Sequence, residues 1–308
     1  MTVACEAESM TRTAGDDGAR GTPAGPSAAE RSRLAALAAR HRLWSASDEP
    51  TLLARGSENT TFAVGGYIVR FSADVAAVQR EIALLDALAS ATSVPTPVPV
   101  LHEPETGISA YRRLRGTPLI HRRVRDGARI PPALIDALSA LREAVPATLL
   151  PADPFPNAQW HAGAVETFRT VRSHLDHDQV RLVQAFVDEQ PPPDRSIAVA
   201  QHNDLGAEHI LVDDAGEVTG IIDWTDAAET DPARDIGSLY RDLGPAAALR
   251  VGEALNRTVT DDELRRIRFH ARCKWLEDVL FGLDDPHSRA PYLENARITF
   301  RHTFADAP

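Results

Sequence analysis

Lysine is almost absent from this sequence. Of the 33 Lys and Arg residues in the 308-residue chain, only Lys274 is a lysine. A basic surplus is missing too, because acids outnumber bases 44 to 33 and the formal net charge is −11. Phosphate backbones demand basic surfaces, so a nucleic-acid partner is excluded. Cysteine is scarce: Cys5 and Cys273 are the only two, too few for a disulfide framework or a metal-finger spacing. No run approaches the roughly 20 apolar residues of a membrane span, so no membrane partner is expected. Met1 to Met10 carries acids and has no apolar signal-peptide core. The expected location is therefore the cytoplasm. What is present is an ordinary globular composition, 43% hydrophobic and 25% charged, which excludes disorder as the global state.

Residues 1–26 are rich in Gly, Ala, Thr, Ser and Pro without periodicity, and they predict a disordered tail. Ser27-Ala28-Ala29-Glu30 has the spacing of a capping box. The helix it starts carries Leu34, Leu37, Ala38 and His41 on one stripe. The period then shortens. Leu52 to Ala54, Thr60 to Val64 and Tyr67 to Phe71 read as strands, with turns at Gly56 to Asn59 and at Gly65-Gly66. A helix is predicted over Asp74 to Ala89, with Val75, Val78, Ile82, Leu85 and Leu88 at helical spacing. Val98 to His102 and Ile108 to Leu114 read as two more strands. Beyond Gly116 the pattern turns helical, over Pro132 to Val145, Ala164 to Leu175 and His177 to Glu189, with further helices after Asp231. One strand-rich island, Ile197 to Trp224, interrupts them. The expected fold class is α+β: a small β-rich lobe over residues 27–115, then a larger, mainly helical lobe over residues 116–308.

Polar residues crowd that island. Between His202 and Asp235 lie His202, Asp204, His209, Asp223, Asp231 and Asp235, bracketed by the apolar segments Ile197 to Ala200, Ile210 to Val212 and Ile221-Ile222. Carboxylates at the ends of apolar strands are costly to bury unless paired or bound to a cation. A metal ion on phosphate is a natural partner. Phosphoryl transfer needs a carboxylate to orient the attacking hydroxyl, a divalent metal and a cation on the other phosphates. The kinase catalytic loop places a metal ligand five residues after the base and a second metal-binding Asp at the next hairpin end. Asp204, His209 and Asp223 repeat that order and spacing. The same residue types also suit a metal-dependent hydrolase with His202, Asp204, His209 and Asp223 as ligands, and a non-catalytic binding module is a third reading.

Three segments, His202-Asn203-Asp204-Leu205-Gly206-Ala207-Glu208-His209-Ile210-Leu211, Gly220-Ile221-Ile222-Asp223-Trp224 and Asp231-Pro232-Ala233-Arg234-Asp235, together resemble the aminoglycoside phosphotransferase family. That family includes macrolide phosphotransferases and has the protein-kinase-like two-lobe fold. The resemblance implies that Asp204 is the catalytic base and Asp223 the principal Mg²⁺ ligand. His209 stands where the family usually has Asn, as in some macrolide-modifying members, and is the second metal position. His202 and Asp235 are implied to brace the loop.

The resemblance also assigns the nucleotide lobe. Arg70 takes the place of the strand lysine, with Glu81 as its partner. Ser57 and Asn59 belong to the phosphate-covering turn, and Arg112 and Leu114 to the hinge that meets the nucleobase of ATP or GTP. Asp226, Trp275, Glu277 and Asp278 are candidate acceptor contacts, since a carboxylate-lined pocket attracts a polycationic antibiotic. The implied activity is phosphorylation of an antibiotic hydroxyl (aminoglycoside, macrolide or cationic cyclic peptide). A sugar, amino alcohol or amino acid is the alternative acceptor. A monomer or homodimer is expected.

Overall fold

The computed structural model describes residues 25–55, 59–122, 129–153, 155–195, 197–256 and 258–304. Ser57 and residues 1–24 of the expected tail lie outside the described residues. The chain divides into two compact units. One reaches Ser90 and takes in Pro95–Leu114; the other comprises Ala91–Val94 and continues from Arg115.

The first unit is an antiparallel sheet of five strands, β1 (Thr51–Arg55), β2 (Asn59–Val64), β3 (Tyr67–Ser72), β4 (Pro99–Glu103) and β5 (Ile108–Arg112), in the order β1-β2-β3-β5-β4. Helix α1 (Ala28–His41) opens on the expected capping box: the Glu30 amide donates to the Ser27 hydroxyl and the Ser27 amide to the Glu30 carboxylate, at 3.2 and 2.7 Å. Its buried Leu34, Leu37 and Ala38 share one core with Phe62, Val64, Tyr67, Val69, Ile108 and Ala110. The hairpin β2–β3 turns at Gly65 and Gly66, both with positive φ. A Cβ on Gly65 would lie 2.4 Å from that of Trp44, so only glycine fits there.

Strand alternation puts Arg70 on the face opposite Val69. There it meets helix α2 (Val75–Leu88), whose N-cap Asp74 accepts from the Ala77 amide at 2.8 Å. The pattern predicted a stripe through Ile82 with Glu81 beside it. Instead Glu81 is itself buried with Val78, Leu84, Leu85 and Leu88, and Ile82 is only partly covered. The reason is the ion pair with Arg70, 2.9 Å long, which makes a carboxylate tolerable at a core position.

The second unit contains helices α3 (Ile130–Ala144), α4 (Asn157–Val171), α5 (His177–Asp188), α6 (Ala233–Leu243), α7 (Pro245–Asn256), α8 (Asp261–Asp284) and α9 (Ala290–Phe304). Helix α4 begins at Asn157 rather than at the expected Ala164, and Trp160 in its first turn packs edge-on against Phe155 and His270. One core of this unit joins α4, α5, α8 and α9 through Phe168, Val183, Phe186, Phe269, Leu276 and Phe304. Two small antiparallel sheets complete it. Strands β6 (Thr117–Pro118), β8 (Ile210–Val212) and β9 (Val218–Ile221) form one; β7 (Val199–Gln201) and β10 (Ala228–Thr230) form the other. Strand β10 was not foreseen, because three residues reading Ala-Glu-Thr carry no alternation that a pattern could detect. Among the described residues no helix is long and apolar enough to cross a membrane.

Candidate active site

The site is built on the β8–β9 hairpin, whose register pairs Ile210 with Ile221. Both residues are fully buried, which fixes the polar loop before β8 against the residues after β9. Asp235, in the first turn of α6, holds the loop. Its two carboxylate oxygens accept the backbone N–H groups of His202 and Asn203, each at 2.8 Å. Asn203 needs that support, since its φ of +69° lies in the left-handed region that L-residues rarely adopt. The Asn203 side chain also donates to Asp153, 3.0 Å away, and Asp153 is held in turn by Arg234. Further along, the Ala207 amide donates to Asp242 at 2.7 Å. His202 is entirely buried, with Nε2 3.1 Å from the Ile222 carbonyl and its ring 4.6 Å from that of Trp224. Burial lowers its pKa, so the neutral ring donates Nε2–H to that carbonyl and ties the loop to the end of β9.

These braces bring Asp204, His209 and Asp223 together. The His209 Nδ1–H donates to the Asp204 carbonyl at 2.7 Å. That ring lies 3.8 Å from the Asp204 carboxylate on one side and 3.8 Å from the Asp223 carboxylate on the other. Asp223 has a φ of +62° and accepts from the Thr225 hydroxyl at 3.1 Å. Burial works against the charged form of His209, but Asp204, Glu208 and Asp223 outweigh it and push its pKa up to about 9. Burial likewise opposes ionisation of Asp204, and Lys274, His209 and His202 overcome it, so Asp204 is a carboxylate.

A divalent cation fits this donor set. With Nδ1–H committed to the Asp204 carbonyl, a cation that displaced the Nε2 proton of His209 would meet the ring's lone pair on the nitrogen beside Asp223. One carboxylate and one imidazole leave most of the coordination shell to water and phosphate oxygens, as Mg²⁺ prefers. Among the described residues no three His, Cys, Asp or Glu side chains are grouped as an all-protein metal site.

The remaining expected residues fall into three groups. Arg70 and Glu81 form the buried pair of the first unit, with side chains 6% and 3% exposed. Asn59 begins β2, Arg112 is exposed with its guanidinium 5.3 Å from the centre of the Tyr67 ring, and Leu114 is half-buried. Among the acceptor candidates, Asp226 is half-buried and Glu277 lies 3.2 Å from Lys274. Trp275 and Asp278 are corrections. Trp275 is 1% exposed and donates its Nε1–H to the Ala296 carbonyl at 2.8 Å, so it belongs to the core. Asp278 is buried and accepts from Arg241 at 3.0 Å. Their helical spacing brings both to the inner side of α8, where packing rather than a ligand uses them.

Several polar residues here were not anticipated. Arg241, 2% exposed, contacts Asp242, Asp278 and Glu208. Lys274 lies 3.2 Å from the Asp204 carboxylate and 5.3 Å from the centre of the Trp160 ring. Its uniqueness in the sequence was the available signal, but only the tertiary fold joins α8 to the loop of Asp204.

A model described as the phosphotransferase enzyme family matches residues 49–270. The fold is similar to that of the GDP complex of aminoglycoside 2'-phosphotransferase-IIIa, with a TM-score of 0.62 and 21% identity over 87% of this chain and 97% of that one. It is also similar to macrolide 2'-phosphotransferase type I, with a TM-score of 0.56 and 20% identity over 92% of this chain and all of that one. A macrolide 2'-phosphotransferase from Brachybacterium faecium gives 0.54 and 19% over 90% and 99%. These likenesses establish the protein-kinase-like α+β fold. Among curated proteins, 34 residues are 56% identical to the uncharacterized protein YcbJ of Bacillus subtilis (strain 168), and that match spans 11% of each chain.

Proposed function

Because the chain belongs to the phosphotransferase enzyme family, we propose that it moves the γ-phosphoryl group of ATP or GTP onto a hydroxyl of a small molecule. The observation that carries this reading is the convergence of Asp204, His209 and Asp223 at one end of the β8–β9 hairpin. The acceptor hydroxyl donates its hydrogen bond to the Asp204 carboxylate, which aligns the oxygen and takes its proton as the new P–O bond forms and the bond to the leaving diphosphate breaks. Mg²⁺, held by Asp223 and His209 when bound, supplies positive charge to the phosphate oxygens. Arg70, kept in place by Glu81, is the cation assigned to the non-transferred phosphates. His202 and Asp235 do not react; they hold the loop that presents Asp204.

An antibiotic acceptor is suggested by neighbours of this fold: one is a complex with GDP and kanamycin, and two others are macrolide 2'-phosphotransferases. Two of the carboxylates expected to draw a polycation are engaged within the protein: Glu277 pairs with Lys274 and Asp278 with Arg241. This favours an acceptor of low positive charge, such as a macrolide or a metabolite carrying a hydroxyl, over a polycationic aminoglycoside. Mass spectrometry tests the reading, on protein incubated with Mg²⁺, ATP or GTP, and a panel of macrolides, aminoglycosides, sugars and amino alcohols. Gain of one phosphoryl mass by a macrolide or weakly charged alcohol is expected. Nucleotide binding without transfer to any hydroxyl compound would count against the assignment.

A further inference from the structure

We propose that Lys274 is a positioning residue for the transfer reaction, orienting the Asp204 carboxylate by occupying one of its two oxygens and leaving the other for the acceptor hydroxyl. This rests on the phosphotransfer reading above. Lys274 lies on α8, and its Nζ is 3.2 Å from Asp204 Oδ1 and 3.2 Å from Glu277 Oε2, one turn further along the same helix. The ammonium is thus fixed from two sides, and the Trp160 ring, 5.3 Å away, closes a third. Side-chain exposure is only 15% for Lys274 and 18% for Glu277, against 30% for Asp204. The carboxylate therefore keeps an accessible side while the cation behind it is sheltered. Burial works against the charge on Lys274, but Glu277 and Asp204 outweigh it and hold the side chain as an ammonium.

The residue type carries the argument further. Every other Lys or Arg position in the chain is arginine, so lysine at this one place is not a habit of composition. A guanidinium presents a planar fork that grips both oxygens of a carboxylate, whereas an ammonium is a point charge that engages one. An arginine here would compete with the substrate for Asp204 Oδ2, the oxygen that faces His209 at 3.8 Å. Lysine restrains Asp204 without closing it.

Because the chain has one lysine, isotope-labelled lysine yields a single ε-ammonium signal in nuclear magnetic resonance. The untagged full chain is compared with its Asp204→Asn and Glu277→Gln variants. The expected result is a protected signal that shifts in both variants; a signal unmoved by Asp204→Asn overturns the proposal whatever the catalytic outcome. Turnover is then measured as consumption of Mg-ATP and Mg-GTP, with water as the acceptor. Lys274→Met is expected to lower kcat about 100-fold, as loss of alignment does, with the KM for nucleotide within about twofold. Lys274→Arg keeps the charge and is expected not to restore the rate. In an Asp204→Asn background Lys274→Met is expected to have no further effect, because the lysine acts through that carboxylate. Wild-type turnover in Lys274→Met, or its full loss repeated on Asp204→Asn, overturns the proposal. A wild-type protein that consumes neither nucleotide counts instead against the phosphotransfer reading, while the resonance still reports the pairing.

Discussion

At the scale of single residues the chemistry rests on how a few charges are held. Asp204 stays a carboxylate beside His209 and Lys274, so an amide in its place keeps the shape but can accept no proton. Asp204→Asn is expected to lower kcat by about a thousandfold, within the usual span for a lost general base, with nucleotide affinity by calorimetry nearly unchanged. Asp223→Asn should act on the other half of the reaction. It leaves one neutral oxygen beside His209, and Mg²⁺-dependent nucleotide binding is expected to vanish from the titration. His209→Asn replaces a nitrogen donor with an oxygen donor, which suits Mg²⁺ at least as well. Turnover is expected to persist; its complete loss would show that the imidazole has a duty beyond metal binding.

At the scale of elements, the notable feature of the first unit is a charge pair inside an apolar layer. Arg70 on β3 and Glu81 on α2 are both nearly inaccessible and 2.9 Å apart. Removing Arg70 leaves the Glu81 charge buried without this ion pair, so Arg70→Met is expected to destabilise the chain in urea unfolding, by at most about 3–5 kcal/mol. Arg70→Met combined with Glu81→Leu should recover most of that loss, because neither charge remains to be desolvated. Nucleotide affinity should not recover, since the cation assigned to phosphate is gone. Restored binding in the double variant would remove Arg70 from the nucleotide site and leave it as a structural residue. In the second unit the corresponding device is the α6 N-terminus, where Asp235 holds the backbone of His202 and Asn203 at 2.8 Å each. The loop with a left-handed Asn203 is thus tied down at two consecutive backbone amides.

At the scale of the whole molecule, stability and ligand binding are linked by mass action. A nucleotide that binds only the folded chain at 100 times its dissociation constant adds about 2.7 kcal/mol. The melting temperature is therefore expected to rise with ATP or GTP in the presence of Mg²⁺, and a chelator of divalent ions should abolish the rise. A shift that survives chelation would mean that nucleotide binds without the cation assigned to Asp223 and His209.

Much of this was legible in one dimension. The capping box at Ser27, the strands of the first sheet and the hairpin carrying Asp223 are short-range features, in which partners lie a few residues apart or alternate with a fixed period. The order of Asp204, His209 and Asp223 was legible for the same reason, since one hairpin holds all three. Contacts between distant segments left no such trace. The pairing of Glu81 with Arg70 was expected from the family resemblance, not from periodicity, which set Glu81 only beside the apolar stripe, and Trp275 and Asp278 read as pocket residues until α9 and Arg241 covered them. Lys274 stood out in the sequence as a solitary lysine, yet only the packing of α8 brings its ammonium to Asp204. Periodicity and spacing record local geometry, whereas burial and charge pairing depend on which surfaces the chain closes on itself, and that was decided by the tertiary structure.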